Sequence, residues 1–274
     1  MKCVRQVLCL FFLCSALTAS ARFGRTNRIR HSFNFFSAHN TLQIETYLGF
    51  QANNGLLTTS YPNMLIRYGL IDVLELRVNV QVNSVNDRAH WTAQTGLAPL
   101  QPGLKLQLCK PNKFRPAVAF TASVTVPHAA SESMRQTYWA PLLLFSAEQN
   151  ITQHLSFEYD LGMQWDADNF QRGYLTALNM EYDFTPLSSV YADAYLLQPE
   201  SGGQTDMRLD VGVNRQLTKH LQLDLSMGAG LTPAAPEFFF NAGFIFAYGD
   251  WKRLALHKNN YQRHPTSHSS GSLR

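Results

Sequence analysis

Between residues 42 and 248 the chain alternates apolar and polar residues with period two, about a dozen times over. "LELRVNVQV" shows it most cleanly: Leu74, Leu76, Val78, Val80 and Val82 form one set, and Glu75, Arg77, Asn79 and Gln81 the other. Successive side chains of a strand point to opposite faces, so one face is aliphatic and the other polar. The alternation predicts strands over 42–50, 63–70, 74–82, 103–108, 116–126, 137–148, 155–165, 174–182, 189–197, 207–214, 221–231 and 238–248. Only "TYWAPLLLFSAE" (Thr137 to Glu148) is ambiguous, because both of its faces carry apolar residues.

Most of these runs match the roughly nine to eleven residues of a tilted membrane-crossing strand, whereas soluble strands usually hold about five or six. The connections alternate in length. One set covers 51–62, 83–99, 127–136, 166–170, 198–205 and 232–236; the other covers 69–72, 109–115, 148–153, 183–187 and 215–219. The first set contains the longest loops, as expected where external loops are long and periplasmic turns short. An even strand count returns both termini to the periplasmic side. Apolar-face aromatics gather near strand ends: Tyr68, Phe157, Trp165, Phe170, Tyr182, Phe238 and Tyr248, with Trp251 just beyond. That is where interfacial girdles belong.

Composition bears on which face is inside. Charged residues are 15% of the 274, below the roughly 25% usual in soluble domains, while hydrophobic content is an ordinary 45%. A soluble sandwich also alternates, but its outer faces carry abundant Lys and Glu; here the polar faces are mostly Gln, Asn, Ser, Thr and Gly. Lys2 and Arg5, the apolar run Val7 to Ala19, and Ala19-Ser20-Ala21 have the order of a secretory signal, so residues 1–21 are expected to leave and the mature chain to start at Arg22. A lipoprotein reading at Cys14 is weaker, because bulky Leu13 precedes it. After cleavage only Cys109 remains, which excludes an intramolecular disulfide. No later run reaches 18 apolar residues, so no transmembrane helix is expected. The expectation is an all-β, antiparallel transmembrane β-barrel of about twelve strands, of outer-membrane type, with its apolar face toward lipid. It divides into a basic segment over 22–40, the barrel over 41–251 and a polar basic tail over 252–274.

Charge is segregated along the chain. Between Thr41 and Trp251 there are 12 Lys and Arg against 19 Asp and Glu, while both ends are basic. On the polar faces the ionisable set is Glu45, Arg67, Glu75, Arg77, Lys105, Glu158, Asp160, Glu181, Asp193, Arg208, Asp210 and Asp224. In a barrel these line the lumen as transport candidates. They can serve as a paired network that holds the barrel's shape, or as a constriction that favours cations or polar groups.

"IETYLGFQANNG…YPNMLIRYGLIDVLELRV" (Ile44 to Val78) and "VYADAYLL…DMRLDVGVNRQLTKHLQLDLSMGAGL…FFFNAGFIF" (Val190 to Phe246) resemble the outer-membrane transporters of the meta-pathway of phenol degradation family. The resemblance covers most of residues 42–248. It implies an outer-membrane barrel that carries small, hydrophobic or aromatic compounds, and it supplies no set of functional residues. The chain departs from common barrels in its ending: Tyr248 and Trp251 are followed by a polar tail to Arg274, not by a terminal aromatic carboxylate.

The function expected is a channel or transporter for passive uptake or efflux, placed in the bacterial outer membrane. Its partners would be outer-membrane lipid, a small-molecule solute and the barrel-assembly machinery, with no nucleic acid. The alternatives are a non-transporting structural or adhesive barrel and a phospholipase-like enzyme, the latter resting on His154, Ser156 and Glu158 on one strand face. No phosphate loop, HExxH or paired CxxC is present, and His128, His154 and His220 lack metal-ligand spacing. No catalytic residue, metal or cofactor is therefore assigned, and "HPTSHSSGS" reads as a polar tail.

Overall fold

A computed structural model describes residues 37, 39–53, 55–87, 92–111 and 115–249. The expected signal, most of the basic N-terminal segment and the C-terminal tail lie outside the described residues. Thirteen strand segments follow one another: β1 (Leu42–Asn53), β2 (Leu56–Ile71), β3 (Leu74–Asp87), β4 (Thr92–Leu97), β5 (Gln101–Cys109), β6 (Ala117–Thr125), β7 (Ala140–Asn150), β8 (Leu155–Trp165), β9 (Arg172–Thr185), β10 (Ser188–Pro199), β11 (Asp206–Gln216), β12 (Leu221–Gly230) and β13 (Phe238–Tyr248). Every pairing is antiparallel between neighbours, β1 pairs with both β13 and β2, and β2 pairs with β3. The sheet is therefore a closed barrel with no free edge at the seam, which satisfies backbone groups that lipid could not.

Twelve wall positions hold thirteen segments because one strand is broken. β3 pairs with β5 through Leu74–Asn79 and with β4 through Val82–Asp87. β4 and β5 thus share one position, split at residues 98–100, where Leu100 bridges to Val126. A single 3-10 turn, Glu132–Met134, packs beside β4.

Burial decides which face is in. Along β3, Glu75 is 0% exposed and its neighbour Leu76 43%. Along β11, Asp210 is buried while Val211 is 57% exposed. Polar side chains fill the interior, and an apolar belt of Leu, Val, Met and Phe covers the outside, the inversion that an outer-membrane barrel requires. Tyr68 and Tyr248 are both exposed and both register against Leu42, so they lie at one level of the end where β1 begins. Phe50, Trp139, Phe170 and Phe238 are exposed toward the opposite end.

Two of the expected long loops are strand. Residues 51–53 and 56–62 extend β1 and β2, and 83–87 with 92–97 extend β3 and form β4, as polar ribbons continuing beyond the belt. Gly55 and Pro62 disguise the first ribbon in the sequence. Gly55 takes φ +79° at the turn. Pro62 sits where the registers of β2 slip against both neighbours, a bulge at which its missing N–H costs no ladder bond.

Candidate functional site

The lumen is the one enclosed polar space these strands create, and its charges form two sectors. In the first, β1, β2, β3 and β5 bring Glu45, Arg67, Glu75, Arg77 and Lys105 together toward the end where β1 begins and β13 ends. Arg67 and Arg77 are cross-strand partners, as are Glu75 and Lys105. Arg67 grips Glu75 with two parallel bonds, Nε to Oε1 at 2.9 Å and Nη2 to Oε2 at 2.9 Å. Its Nη1 donates to Glu45 Oε1 at 3.1 Å, and Gln43 Nε2 donates to the same oxygen at 3.2 Å. Arg77 Nε lies 3.2 Å from Glu75 Oε1. Glu158 of β8 is within electrostatic reach of Lys105 and Arg77. The backbone N–H of fully buried Ser37 donates to Glu75 Oε2 at 2.7 Å, so Ser37 lies inside the lumen. Fork-to-fork Arg–carboxylate geometry is the strong form of such a pair, and every charge removed from water here has a partner.

The second sector is acidic. Glu158, Asp160, Glu181, Asp193, Asp210 and Asp224 come from β8 to β12. Hydroxyls and amides serve as donors to several of these carboxylates. Ser146 donates to Asp160, Asn179 to Asp193 and Ser189 to Glu181. Tyr191 Oη donates to Asp224 at 2.9 Å and Tyr47 Oη reaches it at 3.5 Å. Glycine makes room for these rings: a Cβ on Gly243 would stand 2.7 Å from Tyr47 Cε1. Arg208 pairs with Asp206 two residues away on the same strand.

Two cavities lie above the ionic layer. The smaller, about 140 Å³, is bounded by Glu45, Tyr47, Arg77, Asn79, Gln81, Gln101, Thr121, Ser123, Leu142, Leu144, Arg208 and Phe239, among others. The larger, about 440 Å³, lies toward the long connections and includes Met134, Arg135, Trp165, Asp166, Asp168 and Leu175. They share Asn79, Gln81, Gln101, Ser123 and Leu142, so they adjoin. Of the sequence-derived candidates, Glu45, Arg77 and Arg208 line the smaller cavity. Arg67, Glu75, Lys105, Glu158, Asp160, Asp193, Asp210 and Asp224 line neither.

The sequence reading overlooked a leucine cluster inside the lumen. Leu144, Leu175 and Leu197, at 1–2% exposure, pack with Leu142, Ala177 and Tyr195 on the inner face of β7, β9 and β10. The signal was the ambiguity of 137–148: Leu142 and Leu144 face in, while Leu143 and Phe145 belong to the other face. Phe145 is 55% exposed. Gly162 lies beside Leu144 in the ladder and leaves it space.

His154 and Ser156 do not form a relay. The His154 ring sits 6.3 Å from the ring of Tyr182, and among the described residues no hydrogen bond joins it to Ser156. Cys109 forms no disulfide among the described residues.

With this geometry in view, the sequence matches the family described as "Putative MetA-pathway of phenol degradation" over residues 26–248. The chain belongs to that family. No curated protein matches its sequence. Among solved structures it is similar to the COG4313 outer membrane channel from Pseudomonas putida F1, at 15% identity and a TM-score of 0.65, covering 81% of this chain and 100% of that one. It is also similar to the KdgM porin solved with oligogalacturonate, at 12% identity, a TM-score of 0.55 and coverage of 76% and 99%. The NanC porin is similar at 8% identity and a TM-score of 0.52, covering 74% of this chain and 98% of that one. At these identities the likeness concerns the fold. This member of the family is a closed outer-membrane barrel, and its apolar belt places it in the bacterial outer membrane.

Proposed function

We propose that the barrel is a passive channel for small molecules that carry both an apolar body and a polar group. The carrying observation is the leucine cluster inside the lumen. A water-filled pore for ions gains nothing from inward leucines, whereas a passage for an apolar body needs such a surface. The adjoining cavities offer that surface on β7 and β9 together with amides and hydroxyls of β3, β5 and β6. Membership of a family named for phenol degradation supports an aromatic solute, and the channel among its structural neighbours supports passive passage.

The test pairs conductance with growth. Purified protein in planar bilayers is expected to give discrete conductance steps. A deletion strain is expected to grow slowly on limiting aromatic carbon sources, with wild type restoring growth and Leu144→Asp failing to. A protein without conductance, whose deletion leaves growth unchanged, would instead be a structural or adhesive barrel.

A further inference from the structure

The smaller cavity places Arg77 against an apolar floor, and the other cation lining it, Arg208, is paired with Asp206. Arg77's ionic contact among the described residues is made through Nε, to Glu75. Glu75 is already held by both forks of Arg67, so the Nη edge of Arg77 is left for another acceptor. Arg77 registers against Gly103, which registers against Ser123, so the wall position between Arg77 and Ser123 carries no side chain. Next to Ser123, Thr121 is 4% exposed and its Oγ1 has no hydrogen-bond partner among the described residues. A buried hydroxyl without a partner is costly, and a ligand oxygen would remove that cost. Leu142, Leu144 and Phe239 close the other side. The one carboxylate lining the cavity, Glu45, is bound by Arg67 and Gln43. A space near 150 Å³ with apolar walls holds a benzene ring, and this one is about 140 Å³.

We propose that this cavity is a binding site for a small aromatic or aliphatic carboxylate, with Arg77 taking the carboxylate through its Nη edge and Leu142, Leu144 and Phe239 taking the apolar body. Thr121 and Ser123 donate to the carboxylate oxygens. The site makes the solute of the proposed channel an anionic amphipath, and in that sense rests on the channel reading. Arg suits the role because its planar fork matches a carboxylate bidentately.

Isothermal titration calorimetry on the detergent-solubilised full chain tests it with three probes of one shape: benzoate, benzyl alcohol and benzylammonium. Benzoate is expected to bind at least about tenfold more tightly than either of the others, the step that one charge-assisted bond supplies. Arg77→Gln is expected to lose that margin and leave benzyl alcohol unchanged, and Arg77→Lys to keep part of it. Thr121→Val is expected to weaken benzoate alone. Heat-modifiable gel mobility identifies the folded variants, and Thr121→Val carries the test if Arg77→Gln does not fold. Benzylammonium binding more tightly than benzoate would overturn the site, and so would benzoate affinity indifferent to both substitutions. Bilayer recordings separate the two proposals. Benzoate binding without conductance would sink the channel and leave the site standing. Conductance without any Arg77-dependent benzoate binding would leave the channel standing and sink the site.

Discussion

Two parts of the same inner wall are built on opposite principles. On β1, β2, β3 and β5 the interior is an ionic lattice in which Arg67 and Glu75 are 2% and 0% exposed. On β7, β9 and β10 it is a leucine cluster, buried to the same degree. The lattice is directional: Arg67, Glu45, Glu75 and the Ser37 N–H each occupy one geometry, so it fixes how the early strands and Ser37 meet. The cluster is non-directional and asks only for volume. A barrel can therefore be closed by charge at one place and keep an adaptable apolar surface at another. The outward belt supplies contact with lipid everywhere and distinguishes neither.

The largest way to break the comparison is Glu75→Ala. It leaves Arg67 with its bond to Glu45 and Arg77 without its ion-pair partner, with Glu158 only within electrostatic reach, and removes the acceptor of the Ser37 N–H. Losing one partner of a buried pair costs about 3–5 kcal/mol, so the urea midpoint for loss of heat-modifiable mobility should fall sharply. A stability near wild type would mean the lattice is dispensable. Gly162→Ala attacks the other sector. Its new Cβ would stand 2.2 Å from the Leu143 carbonyl oxygen and 2.8 Å from Leu144 Cδ1, so both the β7 backbone and the leucine must shift, and overpacking costs about 1–3 kcal/mol. The same midpoint should fall by less than for Glu75→Ala, and equal falls would erase the distinction between directional and adaptable walls.

Glu200 sets the lower bound. It sits at the exposed rim and accepts from Arg172 and from Tyr174, the latter at 2.9 Å. These bonds hold its carboxyl below the ordinary carboxylate range. A depressed carboxyl contributes above its unfolded pKa and loses that contribution as pH falls through the folded value. Glu200→Gln should therefore shift the midpoint slightly at about pH 7 and not at all in strong acid, because exposed pairs contribute little. A shift as large as that of Glu75→Ala would show that exposure does not separate the two ion pairs.

Much of the fold was legible along the chain. Alternation assigns Glu75 and Arg77 to the face opposite Leu76 and Val78, and strand length with few surface charges turns that face inward. Elsewhere local chemistry misled: Gly55 and Pro62 read as loop, yet one is a tight turn and the other a bulge within continuing strand. The candidate site was legible as a set of inward residues, and no further. That Arg67 grips Glu75 and not its cross-strand partner Arg77 follows from side-chain reach across the sheet. That Leu142, Leu144, Leu175 and Leu197 meet follows from the stagger between β7, β9 and β10, which period two does not encode.

The sequence by itself determined the strands, their two faces and, through residues 26–248, the family. Each depends on spacing and residue type along one line. The tertiary structure alone decided which buried charges pair, where Ser37 lies, and that the cavities are lined by Arg77 and leucines while the acids of β8 to β12 are packed away. Closure and register bring residues as distant as Tyr47 and Asp224 within reach, and no local pattern carries that information.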